Sequence, residues 1–201
     1  MYPSTPPIAR SPLAALHIRN GAIVELRDGC MVATRYPDEP GRGENAIIDF
    51  GHRPTREING SDVGRMLTDL LGCDVPLRRV HGESGCHVYR LTAGRALVFG
   101  KFPNALDGGI DVTGVWVSLA LFGQDAERIL NKATAVDLRE RQLPVGGCCQ
   151  GPIFGVNTLF ARFADRFELS ICGDSAEFLW EVLLDAGAEF NLKPAGVDFG
   201  S

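Results

Sequence analysis

Ile58-Asn59-Gly60-Ser61-Asp62, followed by Arg65, Leu67 and Asp74, returns as Leu121-Phe122-Gly123-Gln124-Asp125, followed by Arg128, Leu130 and Asp137, at a constant offset of 63 residues. A self-similar stretch constrains a fold more tightly than any single propensity, because both copies have to form the same supersecondary unit. In each copy a run of β character ends at a glycine and a short amphipathic helix follows. Val63, Met66, Leu67, Leu70 and Leu71 keep the i, i+3, i+4, i+7, i+8 spacing of one apolar helical stripe, with Ser61 as its expected N-cap. In the second copy a helix is predicted from about Gln124 to Lys132, burying Ala126, Ile129 and Leu130.

Each predicted helix is followed by a hairpin. The first runs from Cys86 to Gly100 and turns at Thr92-Ala93-Gly94. The second runs from Asn157 to Cys172 and turns at Ala164-Asp165. Further β segments are expected at Ala22–Arg27, Cys30–Tyr36, Ala46–Phe50 and Val115–Phe122, with a turn at Asp28-Gly29. A third helix is expected to open with Asp174 and Glu177, a capping-box-like pair, and to present Phe178, Leu179, Val182, Leu183 and Ala186 to a core. These elements predict an α+β chain of duplicated antiparallel sheet-and-helix halves, about 11–108 and 109–201, intertwined in one domain. The proline-rich start places an extended arm at 1–10.

Composition removes several function classes. The 201 residues are 45% hydrophobic and 22% charged, and the net charge is -5, so the basic field of a nucleic-acid binder is missing. No apolar run reaches the roughly 18 residues that span a bilayer, and the first residues do not read as a signal peptide. Six scattered cysteines then suit free thiols in a cytoplasmic protein. G-x-G-x-x-G after a strand, the Walker lysine loop, H-E-x-x-H and G-x-S-x-G do not occur, and no parallel Rossmann pattern appears.

Three constellations remain. His81, Cys86 and His87 offer soft ligands, but their spacing is not that of a zinc finger or ribbon. In a strand Cys86 and His87 point to opposite faces, so a half-buried histidine and a core cysteine are expected instead of a metal site. Cys148-Cys149, with no lysine or arginine flanking closely, reads as a packed turn entering the next strand. Glu168 alternates onto one strand face with Arg166 and Ser170, opposite Phe167 and Leu169. That face is either a polar cleft wall or ordinary solvated surface, and sequence pairs no two carboxylates as acid and base.

These residues also resemble a family. Ser11-Pro12-Leu13-Ala14-Ala15-Leu16-His17 is similar to the start of the glycine-cleavage T-protein (aminomethyltransferase) and of sarcosine oxidase gamma subunits. Ile47-Ile48-Asp49-Phe50-Gly51-His52 resembles a strand of the T-protein, Ile58 to Val75 its following helix, and Asn191-Leu192-Lys193-Pro194-Ala195-Gly196 a later segment. Ile110-Asp111-Val112-Thr113, Leu119 to Gly123, Val136-Asp137-Leu138, Leu143-Pro144, Phe167-Glu168-Leu169 and Phe178-Leu179-Trp180 follow the order of the gamma subunits.

The resemblance implies a T-protein-like folate-binding fold lacking the C-terminal barrel domain. It implies that Glu168 is the cofactor-binding residue, at the position that meets the pteridine of tetrahydrofolate. The family's aspartate after a Gly-Gly pair is replaced: aligning Val88-Tyr89-Arg90-Leu91 with that strand puts Ser84 or Gly85 there, with Glu83 out of register. No catalytic residue and no metal ligand are therefore assigned. The implied role is an accessory, gamma- or delta-type subunit of a heteromeric sarcosine oxidase or N-methyl-amino-acid dehydrogenase. Such a complex oxidatively demethylates secondary N-methyl amines such as sarcosine or N-methylglutamate. Its large partner subunits would hold FAD, FMN, NAD and folate, leaving tetrahydrofolate as the one cofactor this chain itself could contact. The alternatives are a stand-alone tetrahydrofolate-binding aminomethyltransferase-like enzyme, or a non-catalytic scaffold of this fold.

Overall fold

The computed structural model describes residues 9–27, 29–83, 85–101 and 109–199, without the side chains of Ala9, Leu70 and Glu83. Most of the expected N-terminal arm, Asp28 and Ser84 lie outside the described residues. In chain order the elements are β1 (Ala9–Arg10), α1 (Ala14–Arg19), β2 (Ile23–Arg27), β3 (Cys30–Arg35), β4 (Ala46–Asp49), β5 (Thr55–Asn59) and α2 (Val63–Leu71). Then follow β6 (Arg79–Glu83), β7 (Cys86–Thr92), β8 (Arg95–Gly100), β9 (Ile110–Asp111), β10 (Trp116–Phe122), α3 (Ala126–Asn131) and β11 (Cys148–Ile153). The chain closes with β12 (Val156–Arg162), β13 (Arg166–Cys172), α4 (Ala176–Gly187) and β14 (Lys193–Ala195).

The duplication is visible in the strand order. One sheet runs β6-β7-β8-β5-β9 and the other β11-β12-β13-β10-β4-β14. In both, a strand, a helix and three further strands return to the same neighbours, and these pairings are antiparallel. The halves also exchange strands. β4 precedes the first repeat yet pairs with β10 of the second, whereas β9 precedes the second repeat yet pairs with β5 of the first. A third, small sheet, β1-β3-β2, carries the N-terminal segment.

Burial orders the layers. α2 sets Val63 and Leu67 against Ile58, Val88, Ala96 and Val98 on one face of the five-stranded sheet. α3 and α4 set Ile129, Leu130, Leu179, Trp180 and Leu183 against Val117, Leu119, Leu121, Leu169 and Ile171 of the six-stranded sheet. The faces turned away from the helices meet each other, with Tyr89, Leu97 and Phe99 packing on Cys148, Leu159 and Ala161. Alternation forces this arrangement, because a strand buried on both faces must supply two separate apolar sets. No helix among the described residues is long and apolar enough to cross a membrane.

Helix termini depart from the sequence expectation. Asp62, not Ser61, is the N-cap of α2, and it makes no side-chain cap bond. Asp62 pairs with Arg65 at 2.9 Å, as Asp125 pairs with Arg128 at 2.6 Å in the second copy. Asp174 lies in a 3₁₀ turn, Gly173–Ser175, and accepts from Ser175 Oγ, while Glu177 pairs with Arg19, so no capping box forms. Phe178 is 49% exposed and does not join the apolar face; Trp180 is buried there instead. A helical stripe is set by where the neighbouring sheet lies, and a nearly all-apolar run such as Phe178 to Leu184 does not mark that direction. Cys148 and Cys149 open β11 and pair with Ala161 and Phe160, so they form a strand and not a turn.

The glycines that end the two repeated strands differ. Gly123 has φ +107°, and a Cβ there would sit 2.7 Å from Asn45 Cα; Gly60 has open space around it and no left-handed φ. Gly123→Ala is expected to destabilise by about 2 kcal/mol or more, because the left-handed backbone and the close approach both reject a Cβ. Gly60→Ala should leave stability nearly unchanged. Urea unfolding of both variants measures the contrast, and equal losses would show that the repeat, not the φ, sets the requirement.

Candidate functional site

β13 places Arg166, Glu168 and Ser170 on the inter-sheet face and Phe167, Leu169 and Ile171 on the helix face, in the alternation read from the sequence. Glu168 sits opposite Ala120 of β10, with Ser170 hydrogen-bonded across to Ser118 at 2.9 Å. The solvated-surface reading of Glu168 does not hold: its side chain is 0% exposed.

Three residues fill its carboxylate. Arg53 Nη1 donates to Oε1 at 3.1 Å and to Oε2 at 3.2 Å, Arg166 Nε donates to Oε1 at 2.9 Å, and the Tyr89 hydroxyl donates to Oε2 at 2.8 Å. A carboxylate offers about four lone-pair sites, so this ring engages both oxygens fully. Burial alone would push the Glu168 carboxyl up, but the Arg53 and Arg166 charges outweigh it and hold the group below the usual glutamate range. The Tyr89 hydroxyl is driven well above its ordinary value by burial and by the Glu168 charge.

Aromatic rings set the guanidiniums. Arg53 lies 3.8 Å from the Phe50 ring centre and Arg166 lies 4.2 Å from that of Phe163. His87 packs edge-on against Phe163 at 4.9 Å; burial lowers its pKa and leaves Nδ1 without a hydrogen-bond partner. Arg166 was on the same strand face in sequence, but Arg53 comes from the β4–β5 connection and Tyr89 from the opposite sheet. No local pattern links residues 115 and 79 positions from Glu168.

Gly85, one of the two positions aligned with the family's aspartate, lies at φ +88° in the β6–β7 turn and carries no acid; Ser84 lies outside the described residues. At the Trp116 end of the inter-sheet layer a cavity of about 460 Å³ is lined by Arg95, Trp116, Gln150, Asn157 and Leu159.

The other two constellations separate. Cys86 packs with the α2 core and His87 faces Phe163, so they point to opposite faces, and His81 meets Cys73 instead. No group of three His, Cys, Asp or Glu among the described residues is arranged to hold a metal. Arg78 and Arg79 do approach the cysteine pair from β6 and the residue before it, a proximity the flanking sequence did not show. Burial nevertheless pushes the Cys148 thiol up to about 12, which makes it inert.

A second buried network was missed because α1 was not foreseen. Asp49 accepts from Ser11 Oγ at 2.5 Å and from the Gly51 amide at 2.6 Å, and lies 3.0 Å from His17 Nε2, whose Nδ1 meets the Tyr36 hydroxyl at 2.5 Å. Serine and histidine both address the carboxylate, not each other, so this is not a nucleophile-and-base relay.

Known proteins share this architecture. Residues 109–199 match the GCVT N-terminal domain family. An aminomethyltransferase of Desulforamulus reducens is 33% identical across 94% of this chain and 61% of its own length, and one of Streptomyces avermitilis is 28% identical across 92% and 59%. The chain thus spans about three fifths of the curated relatives it matches. Among solved structures, a chain of the heterotetrameric sarcosine oxidase from Corynebacterium sp. U-96 superposes with a TM-score of 0.69 at 20% identity, over 90% of this chain and 95% of that one. The glycine cleavage system aminomethyltransferase T of Bartonella henselae superposes with a TM-score of 0.78 at 19% identity, over 95% of this chain and 60% of that one. In sequence and in fold, this α+β chain matches the T-protein-like family, the aminomethyltransferase fold shared with a subunit of sarcosine oxidase.

Proposed function

We propose that this chain is an accessory, non-catalytic subunit of a heteromeric complex that oxidatively demethylates secondary N-methyl amines, with flavin, NAD and folate held by large partner subunits. The carrying observation is the state of Glu168. The carboxylate that would greet a pteridine is fully buried and occupied by the chain's own Arg53, Arg166 and Tyr89. A ligand N–H reaching it would have to displace a charge-assisted bond, at a cost of about 1.5–3 kcal/mol. Of the two positions aligned with the family's acid, Ser84 and Gly85, neither carries a carboxylate. The superposition along almost a whole chain of a heterotetramer supports the same reading. In this role the chain acts as one body of two pseudo-repeats, 11–108 and 109–201, and its surface, not a reaction, is what it contributes.

The rival is a free-standing tetrahydrofolate-binding transferase, favoured by the identity to aminomethyltransferases and by the survival of Glu168 itself. Native purification with size exclusion and a flavin spectrum, joined to tetrahydrofolate calorimetry on the isolated chain, separates the two. The expected result is elution in a large flavin-bearing assembly and no heat from the chain alone. A monomer that binds tetrahydrofolate, and loses it in Glu168→Gln, would overturn the proposal.

A further inference from the structure

β6 and β11 are edge strands of the two large sheets, and they are laced together where Val80 N donates to Gly146 O at 2.8 Å and Cys148 N donates to Arg78 O at 2.9 Å. Arg78 holds its place in this join at φ +60°, a left-handed backbone that residues other than glycine rarely adopt. Its amide is fixed as well, donating to Arg90 O at 2.8 Å. A long charged side chain held in a disfavoured conformation marks a position at which a ligand contact is worth seeking.

Alternation would send residues 78 and 79 to opposite faces, but the left-handed residue interrupts it. Both guanidinium charges are felt at the Cys148 thiol, where they oppose the effect of burial. Neither meets a carboxylate among the described residues: the Arg78 side chain makes no hydrogen bond there, and Arg79 makes one, to Val145 O at 3.4 Å. Arginines elsewhere are taken up by acids, as Arg95 is by Glu57 and Arg162 by Glu127. Beside Arg78 a cavity of about 190 Å³ opens between Leu91, Cys148, Cys149 and Gln150. Arg78 and Gln150 are exposed at it, and the Gln150 side-chain amide makes no hydrogen bond among the described residues. No acid lines this cavity, and none of its residues bonds Glu168.

The geometry points to this cavity as a binding site for an oxyanion, a carboxylate or phosphoryl group carried by a small molecule, with Arg78 as its principal contact and Arg79 and Gln150 beside it. A guanidinium presents a planar fork of donors that matches either group. The net charge of -5 repels anions from the chain as a whole, so the attraction is local to this spot. Two guanidiniums at a small cavity suit a single head group, whereas a nucleic-acid backbone needs a basic stripe. The site is independent of the role proposed for Glu168.

The full, isotope-labelled chain is titrated with sodium phosphate and, separately, with sodium acetate, at an ionic strength held constant with chloride, and its amide shifts are followed by NMR. Residues 78–80 and 146–150 are expected to shift along a saturable curve. Saturation by phosphate alone assigns a phosphoryl group, by acetate alone a carboxylate, and by both an oxyanion of either kind. Arg78→Gly removes the guanidinium and suits the left-handed φ, so it should keep the fold while binding weakens on the order of tenfold or more. No saturable shift at these residues with either salt, or wild-type affinity in Arg78→Gly, overturns the site.

Discussion

Glu168→Ala should cost about 3–5 kcal/mol, because it strips the shared acceptor from two guanidiniums and a phenol that are themselves largely removed from water. Arg53 and Arg166 are 16% and 15% exposed, so solvent does little to compensate the charges left behind. For a chain of this size the loss corresponds to a fall in melting temperature of roughly 6–20 °C. Glu168→Gln keeps an acceptor for Tyr89 but not the charge, and should fall between wild type and alanine.

The pH dependence has a definite sign. The folded Glu168 carboxyl titrates below its unfolded value of 4.5, so its stabilisation is fully present above that pH and disappears as pH falls through the lower, folded value. Calorimetric melts of the three proteins from neutral to acidic pH check both statements. An alanine variant within about 1 kcal/mol of wild type at neutral pH would mean that the carboxylate is not the keystone of the layer and is free to serve a ligand.

The second large effect is expected at Asp49. Asp49→Ala leaves Ser11 Oγ–H and the Gly51 amide without their acceptor and removes the partner of His17 Nε2, all on buried groups. Each unsatisfied group costs about 1–3 kcal/mol, which makes roughly 3 kcal/mol or more the expected total. The damage should be local before it is global, because the Ser11 and His17 bonds to Asp49 join α1 and the residues before it to the end of β4. Hydrogen exchange at the amides of residues 14–19 should accelerate in the variant while β12 and β13 stay protected. Burial opposes ionisation of Asp49, but the bonds from His17, Ser11 and the Gly51 amide hold its pKa below the unfolded 3.8. Its contribution is therefore present above that value and is lost as pH falls through the folded one. Uniform exchange across the whole chain would contradict a local tether.

How much of this was legible depended on distance along the chain. The two hairpins and the stripes of α2 and α3 were readable, since each is a period of two or of three to four residues within one segment, and the repeat was readable because its two copies share residues at one constant offset. The short elements were not. α1 has six residues and no side-chain cap, and β11 hides a glycine and a proline inside a paired strand, so neither carries a local signature. Alternation put Arg166 on the Glu168 face, where it does bond the carboxylate, but it carried no sign of Arg53 or Tyr89.

Periodicity and turn chemistry act over a few neighbouring residues, so they fix which units form and that they form twice. Tertiary structure alone decided that the halves trade β4 and β9, that Arg53 and Tyr89 close on Glu168, and that Cys73 rather than Cys86 meets His81. Such meetings depend on which faces two sheets and a helix bury against each other. That choice is made by the whole core at once, and no stretch of neighbouring residues encodes it.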